Sequence, residues 1–313
     1  MISFTALFNK RRQSSPCART WTQQTSSFTG STWIDWVYYG NGVWVACGDG
    51  AKLATSTDGA SWTQRTSGFT ADTIRGGCYG NSVYVNVGSA AKLFTATDPT
   101  STWTSRTSGY GGGEAIYDVS YDGSTYFVTC GDAGKIFTAT DPTSTWTNRL
   151  SAGSGGYALC YNGSIWVCGF APLGGNTIVY TATDPTSTWT QRTVVSSNAG
   201  NVYGVAYGNS IWVAVGANAA NEGKLWTAPD PTSTWTERTS SFGTSAIYEV
   251  VYGNGCFLAC AADGKMATSS NGTDWTQVTD PSFSTTNIYG LACDGTSRWV
   301  ATGSADKLAT SDV

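Results

Sequence analysis

The decapeptide TATDPTSTWT stands at residues 95–104, 138–147 and 181–190, and a near copy, TAPDPTSTWT, at 227–236. A unit of about forty residues that recurs in this way cannot bury its own apolar face, so the copies must pack on one another. Aligned on the tryptophan, the chain reads Trp21, Trp62, Trp103, Trp146, Trp189, Trp235 and Trp275, spaced 41, 41, 43, 43, 46 and 40 residues apart. In a β-rich chain that period corresponds to one four-stranded propeller blade per copy.

Each copy holds four strand-like pieces. In the first full copy they are IDWVYYG (34–40), VWVACG (43–48), KLATST (52–57) and SWTQRTS (61–67), separated by turn formers such as Gly-Asn-Gly and Asp-Gly-Ala. In the last piece Trp62, Gln64 and Thr66 alternate with Thr63, Arg65 and Ser67, the period of a strand. The second piece keeps one aromatic position, Trp44, Tyr84, Phe127, Trp166, Trp212, Phe257 and Trp299, which is expected to pack between blades. The seventh copy, 288–313, carries three strand pieces without the tryptophan strand, whereas RTWTQQTS (19–26) is a fourth strand with no preceding three. Pairing the two closes the ring and removes its free edges. The expectation is an all-β, seven-bladed β-propeller over 19–313, four antiparallel strands per blade, preceded by an arm at 1–18.

Only 12% of the residues are charged, which argues against long helices with solvated faces. The net charge of −4 argues against general affinity for nucleic acid. Histidine is absent, which removes the commonest general base and transition-metal ligand. Cys47, Cys130 and Cys260 share a repeat position with Val87, Val215 and Thr302, so the nine cysteines read as small buried thiols, with no zinc site and no disulfide framework. In the arm the charges follow a short apolar run, unlike a cleavable signal, and no stretch reaches membrane-spanning length. No cofactor or metal is expected.

The turn before each tryptophan resembles the Asp-box (BNR-type) motif of sialidase-like propellers, Ser-x-Asp-x-Gly-x-x-Trp. Asp98, Asp141, Asp184 and Asp230 lie five residues before their tryptophans, with Thr where that family has Gly; Asp58 and Asn271 open a form shorter by one residue. The resemblance implies a structural turn whose Asp caps backbone N–H groups while the Trp packs inside. Sialidase chemistry is not expected to follow. Arg65, Arg106, Arg149, Arg192 and Arg238 occupy one outer-strand position and cannot converge as a substrate triad, and Glu114, Glu222, Glu237 and Glu249 are scattered over several blades. Only Arg75 and Arg298 stand apart from the repeat among the strand-proximal arginines. Lys52, Lys92, Lys135, Lys224, Lys265 and Lys307 begin the third strands, close to Asp49, Asp132, Asp263 and Asp306, and read as solvated strand ends.

Function is expected where the copies differ. The insertions GFAPLGGNT (169–177) and GANAANEG (216–223) and the blade joints at 108–115, 150–157 and 194–201 fall on the face opposite the Asp turns. Tyr110, Glu114, Phe170, Leu173, Asn176, Asn198, Asn201, Asn218, Asn221 and Glu222 are the candidate contact residues there. The arm, with Ile2, Phe4, Leu7, Phe8, Lys10, Arg11 and Arg12, is the candidate docking element toward other subunits. Near-identical Asp-box copies without an export signal are similar to non-catalytic propellers of bacteriophage virion proteins. The expectation is therefore a non-enzymatic structural or attachment component, a capsid decoration or a tail or fibre module assembled in the host cytoplasm. A lectin-like propeller binding glycan or a host surface, and an assembly-factor propeller resembling that of photosystem II, are the alternatives.

Overall fold

The computed structural model describes Cys17 and residues 20–30, 32–196, 198–278 and 282–312. Residues 1–16, and with them every named arm residue, lie outside the described residues. Seven four-stranded antiparallel sheets are present, six in simple meander order and the seventh completed by a strand from the other end of the chain. Blade 1 comprises Trp36–Gly40, Val43–Cys47, Lys52–Ser56 and Thr63–Thr66. Blades 2 to 6 repeat it, with innermost strands Ile74–Gly80, Ile116–Tyr121, Gly156–Tyr161, Gly200–Gly208 and Ile247–Gly253. Blade 7 takes Ile288–Cys293, Arg298–Gly303 and Lys307–Asp312 from one end of the chain and Thr22–Thr25 from the other. The closing register pairs Thr22 with Thr310 and Thr25 with Lys307. The chain is thus an all-β, seven-bladed propeller.

Adjacent innermost strands touch in an unbroken circle from blade 1 to blade 7 and back, so they line a central channel. The core lies between blades, in seven apolar clusters that each draw on two neighbours. All seven second-strand aromatics are buried within these seams, as dispersion and area burial favour.

The residues that repeat are consumed by the scaffold. Asp98, Asp141, Asp184 and Asp230 each accept a backbone N–H two residues on, at 2.8–2.9 Å. These bonds hold their carboxyls below the ordinary range. The following indole N–H donates to the Pro99, Pro142, Pro185 and Pro231 carbonyls. Asp58 and Asn271 cap two backbone N–H groups apiece in the shorter turns. Arg65, Arg106, Arg149, Arg192 and Arg238 all donate through Nε to the third-strand Thr55, Thr95, Thr138, Thr181 and Thr227. Arg298 crosses from blade 7 to donate to the Asp58 carbonyl.

Two expectations about the cysteines and the charged groups need correction. Cys17 and Cys256 form a disulfide, with Cα atoms 5.6 Å apart, so the arm is tied to blade 6 at its last residue but one. Their 239-residue separation hides the pairing from any spacing argument; only ring closure brings them together. The other seven cysteines are free thiols, buried or half-buried. The lysines are not simply solvated: Lys265 Nζ donates to Phe242 O and Ser245 Oγ, Lys307 Nζ to Phe283 O, and Lys135 pairs with Glu114 at 2.6 Å. Glu237, scattered in sequence, likewise meets Lys224 at 3.0 Å. The Lys265, Lys307 and Lys135 bonds fasten blade-joining loops to the strands beneath them, whereas Lys224–Glu237 links two strands of blade 5.

Candidate functional site

The innermost strands of blades 2 to 7 each carry a β-bulge in their first half, where register slips between Ile74 and Gly76, Ile116 and Asp118, Gly156 and Ala158, Val202 and Gly204, Ile247 and Glu249, and Ile288 and Gly290. A bulge leaves one residue out of the ladder and re-aims its side chain. The residues so released are Arg75, Tyr117, Tyr157, Tyr203, Tyr248 and Tyr289, and Asp35 holds the corresponding place ahead of Trp36 in blade 1.

The five tyrosines form a continuous arc. Successive ring centroids are 5.0 Å apart for Tyr117–Tyr157, 5.5 Å for Tyr157–Tyr203, 6.2 Å for Tyr203–Tyr248 and 5.1 Å for Tyr248–Tyr289, with the planes inclined by 51–61°. Trp33 continues the arc against Tyr289 at 5.8 Å, and at 51% exposure it is the one large apolar side chain left in solvent among the described residues. At the other end the Arg75 guanidinium lies over the Tyr117 ring, 5.5 Å from its centroid. Asn201 and Asn287 donate to the hydroxyls of Tyr203 and Tyr289, and Tyr117 donates to Asp132 at 2.9 Å. That last bond places the collar on the face of the second-to-third-strand turns, opposite the Asp-Pro turns.

The collar is electrostatically tuned by burial. Desolvation pushes Tyr117 and Tyr248 up to about 12, helped by Asp132 at Tyr117 and by Tyr289 at Tyr248. Asp35 is raised to about 7, chiefly by burial and then by the Asp49 charge, with Arg75 pulling the other way.

One residue further in, the channel wall is set by a single repeat position that reads Trp36, Gly76, Asp118, Ala158, Gly204, Glu249 and Gly290. No two large side chains are neighbours. Each large one reaches into the next blade: Trp36 Nε1 donates to Gly77 O at 3.0 Å, Asp118 Oδ2 accepts from Leu159 N at 2.8 Å, and Glu249 Oε2 accepts from Leu291 N at 2.7 Å. Those backbone groups sit at the inner edge of the ring, where no further strand can pair them. Burial raises the Asp118 carboxyl to about 6 against its two backbone N–H bonds, and lifts Glu249 well above its ordinary value. Both acids line a channel cavity of about 340 Å³ together with Trp36, Leu159, Val205 and Leu291.

The sequence-derived contact residues fare differently. Tyr110 is 8% exposed, packs against Phe137 with ring centroids 4.6 Å apart and donates to Lys135 O; Phe170 is fully buried against Tyr180. Asn218 is buried and spends its amide on Ala220, Glu222 and the Glu222 carboxylate. These three are corrected from contact to framework residues, because their loops fold back on the blade. Leu173 packs partly on the blade 4 core and Glu114 is held by Lys135. Asn176 and Glu222 are half-buried, and Asn198 and Asn221 are exposed at positive φ. Asn201 alone joins the collar. The sequence signal of the collar is slight: tyrosine recurs in five copies directly after an apolar residue or glycine in the first half of the first strand.

Fold and site together define a closed β-propeller with an aromatic collar around one end of its channel. In sequence, residues 196–312 match the family described as the DUF6242 beta propeller domain. No curated protein matches the chain. Among solved structures, it is similar to one titled "YCF48 bound to D1 peptide", with a TM-score of 0.75 at 14% identity over 96% of both chains. YCF48 from Cyanidioschyzon merolae gives 0.73 at 14% identity, over 93% of this chain and 98% of that one. The computationally designed Ika8 protein gives 0.61 at 12% identity, over 93% and 100%.

Proposed function

We propose that the chain is a non-enzymatic interaction propeller, a structural or attachment component of a larger particle whose collared face meets a protein or host-surface partner. The observation that carries this reading is the collar: half-exposed Trp33, five tyrosines and two charged residues converge at the axis, where the fold itself requires only a closed wall. The repeated Asp, Arg and Lys side chains are engaged in turns and strand ties, which supports a scaffold role for them over catalysis. The capped turns support the likeness to Asp-box propellers. A bacteriophage virion protein, decorating a capsid or built into a tail or fibre, is the setting proposed for it, with residues 2–16 docking to another subunit and Cys17 pinning that arm to the ring.

Two specific observations favour second readings. The solved YCF48 propeller carries a D1 peptide, which supports a polypeptide occupant and an assembly-factor role. Polar grooves also recur between outer strands: one of about 530 Å³ lined by Gln64, Arg65, Thr100 and Trp103, and smaller ones at the next two seams. Such grooves are what a lectin-like propeller would offer a glycan. Native-mass measurement on chain purified from its source separates the readings. A particle component runs with a multi-subunit assembly and loses it when residues 2–16 are deleted; a lectin remains a glycan-binding monomer. A monomeric chain unaffected by the deletion contradicts the proposal.

A further inference from the structure

We infer that the outer seams between blades 1 to 4 form a series of equivalent sites for the acidic groups of a polysaccharide, each group taken by the outer-strand arginine of one blade and the Thr-Ser-Thr hydroxyls of the next. These sites lie at the outermost strands and not at the axis, so they go beyond the collared-face reading and do not rest on it.

The arginines are held but not neutralised. Arg65, Arg106 and Arg149 are half-buried, and each fixes Nε on a third-strand threonine at 2.9 Å. That bond takes one of the guanidinium's five N–H donors. Arg149 alone of the three spends another, on Thr186 O at 3.3 Å. Among the described residues the ion pairs are Lys135–Glu114 and Lys224–Glu237, so no carboxylate stands within 4.0 Å of these guanidiniums. A half-buried arginine ordinarily meets an acid. The nearest acids belong to the turns of the following blades. Bonds within the turn chiefly, and the arginine's charge after them, hold Asp98, Asp141 and Asp184 below the ordinary range. Their Oδ1 atoms stay on their own turns, 2.7–2.8 Å from Thr100, Thr143 and Thr186. Each guanidinium thus lies beside the next turn with donors to spare.

The space along these seams is polar and free of acids. Arg65 lines a groove of about 530 Å³ with Gln64 and Thr102, and Arg149 one of about 360 Å³ with Thr145 and Thr186. Between them, the seam of blades 2 and 3 holds one of about 340 Å³ lined by Thr107 and Thr145. No aspartate or glutamate lines any of the three. The side chains of Gln64, Thr102, Thr107 and Thr145 are exposed and make no hydrogen bond among the described residues. Trp103 and Trp146 wall two of the grooves at only 4% and 5% exposure, so no ring face is offered to a sugar or a base. Recognition is left to charge and hydrogen bonds, and a planar carboxylate matches the guanidinium fork. Recurrence at successive seams suits a polymer with an acid on each unit, whose weak single contacts gain by avidity.

Biolayer interferometry of the full chain on immobilised polygalacturonate, dextran sulfate and neutral dextran, at about 50 mM salt to limit screening, tests the inference. At least one acidic polymer is expected to bind roughly tenfold more tightly than neutral dextran. Polygalacturonate alone assigns the sites to carboxylates, and dextran sulfate alone to sulfate esters. The combined Arg65→Gln, Arg106→Gln and Arg149→Gln variant should lose roughly tenfold in affinity. Should it fail to fold, Thr102→Glu with Thr145→Glu places an acid in all three grooves, leaves the arginine ties alone, and should lose as much. Trp33→Ala, at the collar, should bind as wild type does. Equal binding of acidic and neutral polymers overturns the inference, as does acidic-polymer binding that neither groove variant weakens or that Trp33→Ala weakens as much. An oligo-dT strand bound more tightly than either acidic polysaccharide also overturns it, in favour of nucleic acid. If no polymer binds, the groove sites fall and the collared-face reading is untouched.

Discussion

The carboxylate of Asp118 accepts the backbone N–H of Leu159 at 2.8 Å, across the seam between blades 3 and 4. It is one of three such stitches, with Trp36 to Gly77 and Glu249 to Leu291, all made from one repeat position. A sevenfold channel cannot hold seven large side chains at one level. Three large residues separated by small ones occupy that level, and the repeat is broken where the axis demands it.

The Asp118 stitch sets a pH dependence. Its carboxyl titrates at about 6 in the folded chain against an ordinary 3.8, so between those values the folded state binds a proton that the unfolded state has released. Stability contributed by that proton is complete below 3.8 and declines as pH rises through 6, by on the order of 3 kcal/mol. Urea unfolding of wild type and Asp118→Asn across this window should give a flatter profile for the variant. Parallel profiles would show that the group is not buried as described.

The small members of the position matter as much as the large ones. A Cβ at Gly204 would lie 3.0 Å from Glu249 Cα and from Val250 N, both backbone atoms of the next blade. Gly204→Ala is expected to cost about 1–3 kcal/mol through overpacking of the blade 5–6 seam. Gly112→Ala, in a loop with nothing within 4 Å, should stay within about 0.5 kcal/mol of wild type. Denaturant midpoints measured side by side decide the matter.

The Cys17–Cys256 bond reinforces the closure made by Thr22–Thr25. It joins residues 239 apart in sequence, a loop for which chain-entropy arguments give stabilisation of about 5 kcal/mol. Cys17→Ser, or wild type in reductant, should unfold at lower temperature while keeping its β-sheet spectrum, because the closing strand pairing remains. An unchanged melting temperature in reductant would mean the bond does not form.

Much of this fold was legible because propeller geometry is written in local currency. Turn residues, alternation and a period near forty specified blade, count and closure, and the Trp62 and Trp103 strands lie where alternation places them. The site was legible only in part. Tyr110 and Phe170 sit in loop-like sequence yet turn inward, since an aromatic in a Gly-rich joint is drawn to the nearest seam. The collar depends on bulges that release Tyr117, Tyr157, Tyr203, Tyr248 and Tyr289 from the ladder, and a one-residue slip leaves no mark in composition. Pairings such as Cys17 with Cys256, or Trp36 with Gly77, join positions that only the ring closure and the axis bring together.

Whether the collared face is where this propeller meets its partner is decided by hydroxyl-radical footprinting of Trp33. The oxidation rate of this half-exposed indole is compared between the isolated ring and the chain in its native assembly. Strong protection of Trp33 in the assembly is expected, accompanied by Tyr248 and Tyr289, with the Asp98, Asp141 and Asp184 turns on the opposite face unprotected. Equal oxidation of Trp33 in both states, with protection confined to those turns, would contradict it.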